Sequence, residues 1–294
     1  MSMNMGFTNA KIAGFLVFAA VGAGVLFPRQ NDSIADCSRL VLAYQDRENI
    51  QGLEYSLDLK TPGGERLVYL GSEHTRDPGD PQFQAFERAW NELAPTTAFY
   101  EGTGTAVAAS RDEAIRSGGE PGFVRFLAAR DRVPMATLEP DRQEEIDHLL
   151  KTFRPEQVKL FYVLRIVVEL RERNKLAPAE LRSEAPRILD RFGQYRGLQA
   201  VMRDVDELAA AYRRYWQAPE HWWEAPAGWF DPLVPSSASG GVFTNEINQA
   251  SSGFRNIHMF EALAKATLSG GRVFAVVGRD HIPMQAAALK CAIR

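Results

Sequence analysis

Two short apolar runs, one near each end of the chain, set what it can fold into. Leu67-Val68-Tyr69-Leu70 leads into Gly71-Ser72-Glu73-His74, and Val273-Phe274-Ala275-Val276-Val277 leads into Gly278-Arg279-Asp280-His281. A short apolar run without alternation is the pattern of a strand buried on both faces, and such strands belong to parallel sheets covered by helices. Ligands of open α/β sheets lie past the carboxyl ends of the strands. Each run delivers a glycine, two polar residues and a histidine to that place. Glycine lets the backbone turn sharply there without a Cβ clash. The repeat therefore predicts two histidines on one rim of one sheet.

The rest of the chain supplies the other layers. Glu54 to Lys60 alternates apolar and polar residues, and Thr61-Pro62-Gly63-Gly64 turns it into the first run, which predicts a hairpin. Asp80-Pro81 opens a helix to Leu93, with aspartate as cap and proline at the first helical position. Ala98-Phe99-Tyr100 is a short strand ending at Glu101-Gly102, two helical segments flank Gly118-Gly119, and Val133 to Leu138 is a further strand ending at Glu139-Pro140. From Asp141 to about Ala218 the pattern is helical. Pro235 to Gly241 is small and polar, Phe243 to Leu268 is helical, and a last helix follows the second run. The expected class is α/β: a central, mostly parallel sheet flanked by helices, with residues 141–239 as a large helical insertion in a single domain spanning 36–294.

With 45% apolar and 24% charged residues this is a folding sequence, and a net charge of −3 gives no basic field for a nucleic-acid partner. Lys11 precedes an apolar stretch from Ile12 to Phe27 that Pro28 and Arg29 end. It is shorter than the roughly 20 residues of a spanning helix and suits a signal-peptide core, with Ser33-Ile34-Ala35 as cleavage site. Residues 1–35 thus read as a signal peptide or as an uncleaved membrane anchor. Either places the rest outside the cytoplasm, periplasmic or membrane-anchored, with the membrane touched only through this segment. In an oxidising compartment the two cysteines, Cys37 and Cys291, can staple the chain ends together; two unpaired thiols are the alternative.

Three strand ends present chemistry to one rim: Glu73 and His74, then Glu101, then Asp280 and His281, with Glu139 as a fourth. His74, His281 and Glu101 make a divalent-metal set with room for water, and a metal there would activate that water for hydrolysis. Without metal, a histidine beside a carboxylate can act as general base, with Glu101 or Glu73 as the acidic partner. Arg255, on the helix before the last strand, can bind an oxyanion or a substrate carboxylate. Each has a plain structural alternative: a loop hydrogen bond for His74, a cap for Glu101 or Glu139, a salt bridge for Arg255.

Five elements in order resemble the group that joins TraB/PrgY proteins, Tiki and GumN-like proteins, erythromycin esterases and ChaN haem-uptake lipoproteins. They are Gly71-Ser72-Glu73-His74, Phe99-Tyr100-Glu101-Gly102, Leu138-Glu139-Pro140-Asp141-Arg142-Gln143, Arg255-Asn256-Ile257-His258-Met259 and Val276-Val277-Gly278-Arg279-Asp280-His281. The resemblance implies an erythromycin esterase/ChaN-like sheet core and adds Asn256 to the candidate residues. Its Tiki/TraB-like branch implies a metal-dependent peptidase, its esterase branch hydrolysis with histidine as base, and its ChaN branch haem or iron binding without turnover. A peptide or a small-molecule ester is the implied substrate of the first two. The Gly-Ser-Glu-His spacing departs from the esterase branch, and no hydrophobic span follows residue 27, unlike the TraB branch.

Overall fold

The computed structural model of the chain describes residues 30–50 and 52–293. The apolar leader at 12–27 lies outside the described residues. In chain order the elements are α1 (Gln30–Ser38), β1 (Ser56–Lys60), β2 (Arg66–Ser72), α2 (Pro81–Leu93), β3 (Thr97–Tyr100), α3 (Arg111–Asp131) and β4 (Met135–Thr137). There follow α4 (Arg142–Leu149), α5 (Pro155–Glu172), α6 (Pro178–Gly193), α7 (Val205–Tyr215), α8 (Ser236–Ser239), α9 (Thr244–Leu268), β5 (Arg272–Gly278) and α10 (His281–Ala292). The five strands form one sheet in the order β1-β2-β5-β3-β4, antiparallel only between β1 and β2. This is the expected α/β class, with the second apolar run as the central strand.

Both faces of the sheet are covered, which is why β2 and β5 carry apolar residues without alternation. On one face Val68, Phe274 and Val276 pack with Phe83, Phe86 and Trp90 of α2 and with Ile115, Phe123 and Leu127 of α3. On the other, Leu67, Tyr69, Ala275 and Val277 pack with Met259, Phe260 and Leu263 of α9 and with Ile282 and Leu289 of α10. Helices α4 to α7 bury a separate core, from Ile146 through Val158, Phe161 and Leu189 to Trp216 and Trp229, closed by Phe243 and Ile247 at the start of α9.

Local signals explain the element ends. The Asp80 side chain accepts from Gln82 N at 2.9 Å and Pro81 sits in the first turn, so α2 starts where capping chemistry puts it. Helix α3 is broken at Gly119, whose φ of 58° leaves Pro121 to begin a second segment. That break brings the Glu120 carboxylate out of the helical repeat. Pro235–Gly241, read from the sequence as a polar stretch, contains the single-turn α8, with Gly240 in the left-handed region at its end. Among the described residues no helix is long and apolar enough to cross a membrane. Ser33-Ile34-Ala35 lies within α1, and Ile34 packs on the core beside Cys37. Cys37 and Cys291 form a disulfide with Cα atoms 5.7 Å apart, tying α1 to α10.

Candidate active site

The twin motifs meet, but one residue out of phase. Parallel pairing sets Gly71 opposite Val277 and Ser72 opposite Gly278. Neighbours in register share a face of a sheet and successive residues alternate. The two glycines therefore open on opposite faces, and the two histidines that follow them arrive in unlike surroundings. Neither glycine has a positive φ, so the sharp turn expected of them is not their use. Each permits close approach instead. A Cβ on Gly71 would lie 2.7 Å from Arg279 Cα and 2.8 Å from Tyr55 O, and one on Gly278 would lie 2.8 Å from His74 Nε2 and 3.3 Å from Glu101 Oε2.

His281 is the fixed member of the pair. It opens α10 and is buried, with Nδ1 2.7 Å from Asn256 Oδ1 and Nε2 3.4 Å from Glu101 Oε1. Gln285, one turn along α10, donates to the same Asn256 oxygen at 3.0 Å. His74 is the free member, with 65% of its side chain exposed. Its Nδ1 lies 3.8 Å from Glu120 Oε2, an ion-pair distance rather than a hydrogen bond. Glu120 is itself buried and accepts from Thr75 N at 3.0 Å, which steadies it.

Between the histidines stands Glu101. Its Oε2 accepts from Gly278 N at 2.7 Å, and its Oε1 accepts from Arg255 Nη2 at 3.0 Å. Arg255 also donates to Glu139 from Nε at 2.9 Å and from Nη2 at 2.7 Å. One guanidinium thus holds two strand-end carboxylates together. Burial by itself would raise the Glu101 carboxyl, but the contact with His281, the Arg255 charge and the Gly278 N–H outweigh it and hold the group well below the usual carboxylate range. Pairing with Glu120 pushes the His74 imidazole above its ordinary value, and the nearby Glu101 charge adds to the rise against partial desolvation.

A cavity of about 200 Å³ opens at this rim, bordered by Ser72, His74, Glu101, Glu120, Glu139 and Gly278. Pockets that enclose a drug-sized ligand run to about 300–1,000 Å³, so this one has room for a small group and not for a whole molecule of that size.

The structure thus gathers His74, His281, Glu101, Glu139, Arg255 and Asn256 at one rim, and sends Glu73 elsewhere. Glu73 is exposed, pairs with Arg279 and does not border the cavity. Its neighbour His74 takes the inward place, because adjacent residues at a strand end point apart. Arg255, expected to meet an oxyanion, is committed to two carboxylates and does not border the cavity; its position is that of a clamp. His148 stacks on Phe254 with ring centroids 4.7 Å apart, and His221 stacks on Trp223 at 4.3 Å. Two members escaped the sequence reading. Gln285 carries no signal there, whereas Glu120 stands in Gly118-Gly119-Glu120-Pro121, a helix break that takes one carboxylate out of the helical repeat.

The donor set does not suit a resident divalent cation as arranged. Both ring nitrogens of His281 and both oxygens of Glu101 and Glu139 are engaged, and the Arg255 guanidinium stands where a cation would balance the two carboxylates. Among the described residues no three His, Cys, Asp or Glu side chains converge as a metal cage. A haem iron would have His74 alone as a free imidazole here.

A direct consequence concerns Gly278. Gly278→Ala sets a methyl group against His74 Nε2 and Glu101 Oε2, so His74 must swing outward, which its exposure allows. The expected result is a loss of about tenfold or more in any activity that uses His74, the effect of an ångström-scale misplacement. The melting temperature, read in the same preparation, is expected to change little.

No family model, no curated protein and no solved structure matches this chain.

Proposed function

We propose that the rim is the centre of a hydrolase in which His74 is the general base. The observation that carries this reading is the pairing of an exposed imidazole, backed by a buried carboxylate on Nδ1, with a second carboxylate facing the same small cavity. This is the arrangement in which a base is oriented by a third group. A water in the cavity gives its proton to His74 Nε2 while its oxygen attacks the carbonyl carbon of a peptide or ester. Collapse of the tetrahedral adduct breaks the bond to the leaving nitrogen or oxygen, which takes the proton back from His74. Glu120 and Pro121, at the start of the second segment of α3, border the cavity, and the positive end of that segment favours the charge developing on the carbonyl oxygen. Glu101 is kept ionised and in place by Arg255, His281 and Gly278 N–H, so it orients the water. The resemblance to the hydrolytic branches of the TraB/Tiki and esterase group points the same way, and so does export, for which the disulfide and the apolar leader are the supports.

The test is a panel of nitrophenyl esters and N-acylated peptides, assayed across pH with chelator and with added divalent metal. Because His74 must be unprotonated to act and its pairing raises it above the ordinary histidine value, kcat/KM is expected to climb with pH through a limb lying above about 6.5. Chelator should leave the rate unchanged. A rate that is flat across that limb, or restored only by metal, contradicts the assignment.

A further inference from the structure

Arg125 is a charged side chain beside this site, and nothing in the proposed chemistry uses it. It lies on α3 four residues beyond Pro121, on the same helix face and about 6 Å farther along the axis. It is 7% exposed. Its guanidinium rests on the Tyr100 ring at 5.1 Å, and Nε donates to Ala106 O at 2.9 Å. A guanidinium has five N–H donors, and that is the only hydrogen bond it makes among the described residues; it has no carboxylate partner there. Neither terminal nitrogen is sealed in the interior, so both can donate to an acceptor that arrives from solvent.

The free edge is shaped for one. Gly104 and Gly118 flank it: a Cβ on Gly104 would lie 3.4 Å from both Nη atoms, and a Cβ on Gly118 would lie 3.1 Å from Nη2. Both glycines leave the terminal nitrogens bare. The Tyr100 ring backs the guanidinium on one side, and a guanidinium fork suits two parallel hydrogen bonds to a planar carboxylate. Glu101, Glu120 and Glu139 border the adjoining cavity. Their charge repels a dianion such as phosphate far more than a singly charged carboxylate.

We propose that Arg125 binds a carboxylate carried by the molecule whose reacting group enters the cavity, so that the substrate is an acid, such as a peptide cleaved next to its C-terminal residue. Binding of the carboxylate stands by itself; calling its carrier the substrate rests on the hydrolytic reading above.

The experiment titrates the full chain with N-acetylglycine and with N-acetylglycinamide at constant ionic strength, following the Arg125 Nε–H signal by NMR. The acid is expected to give a saturable shift and the amide none. Arg125→Met removes that reporter, so its binding is read by calorimetry beside the parent protein, and the heat of acid binding should vanish. Gly118→Ala keeps the charge and covers its edge, and should weaken binding about 10- to 100-fold, the weight of one or two charge-assisted hydrogen bonds. Equal binding of acid and amide, no saturable shift with the acid, or unaltered affinity in Gly118→Ala overturns the proposal. Acid binding by a protein that turns over no ester or peptide would overturn the hydrolytic reading and leave the carboxylate site standing.

Discussion

His74→Ala is expected to lower kcat/KM for hydrolysis by about 10²- to 10⁴-fold, the contribution of a positioned general base, while leaving the fold intact. The two halves of this expectation have separate causes. The imidazole is mostly exposed and its only close partner is Glu120 at 3.8 Å, so its removal opens no core cavity. Glu120 keeps its backbone hydrogen bond from Thr75. Nε2 of the ring, in contrast, is among the described residues the only unengaged imidazole nitrogen at the cavity, since His281 is held at both nitrogens. His281→Ala should differ in kind. It takes a partner from buried Glu101 and leaves Asn256 and Gln285 to rearrange, so stability and activity fall together. Kinetics and melting curves on the two variants separate the roles.

Arg255→Met is expected to destabilise the protein by about 3–5 kcal/mol, the cost of leaving buried charge without its partner. The guanidinium serves Glu101 and Glu139 at once, and all three side chains are under a fifth exposed. Without it, the Glu101 carboxyl rises toward protonation and the ends of β3 and β4 lose their shared clamp. Adding Glu139→Gln to Arg255→Met should recover part of the loss, because one unpaired charge is then removed; denaturant unfolding of the single and double variants measures it. The acid limb of stability has the same origin. Glu101 is depressed in the folded state, so its contribution is fully present above the unfolded carboxyl value near 4.3 and is lost as pH falls from there through the folded value.

Much of this was legible in the chain. The unalternating runs gave β2 and β5 as buried strands of one sheet, because only strands covered on both faces tolerate Leu67-Val68-Tyr69 and Val273-Phe274-Ala275-Val276 without polar breaks; that they are neighbours came from the structure. Capping chemistry placed the start of α2, and the rim carrying His74, Glu101, His281 and Glu139 was read from strand ends. What no local pattern carries is the phase between paired strands. A shift of one residue decides whether the twin motifs face each other or turn apart, and it is set by packing against α2 and α3 on one side and α9 and α10 on the other. The same limit hid Glu120, which reaches His74 only because α3 breaks at Gly119. It also hid the surface destination of Glu73, which depends on where Arg279 lies. Arg255 lies on the helix read from the sequence, but its task depends on two carboxylates arriving from β3 and β4 together.

The central claim is that a single repeated motif has produced one working and one fixed histidine. Carbethoxylation of the native protein by diethyl pyrocarbonate, followed by peptide mapping, tests it without knowledge of the substrate. Modification is predicted at His74 early, with His281 protected until the protein unfolds. Modification of His281 as fast as His74, or before it, would contradict the account.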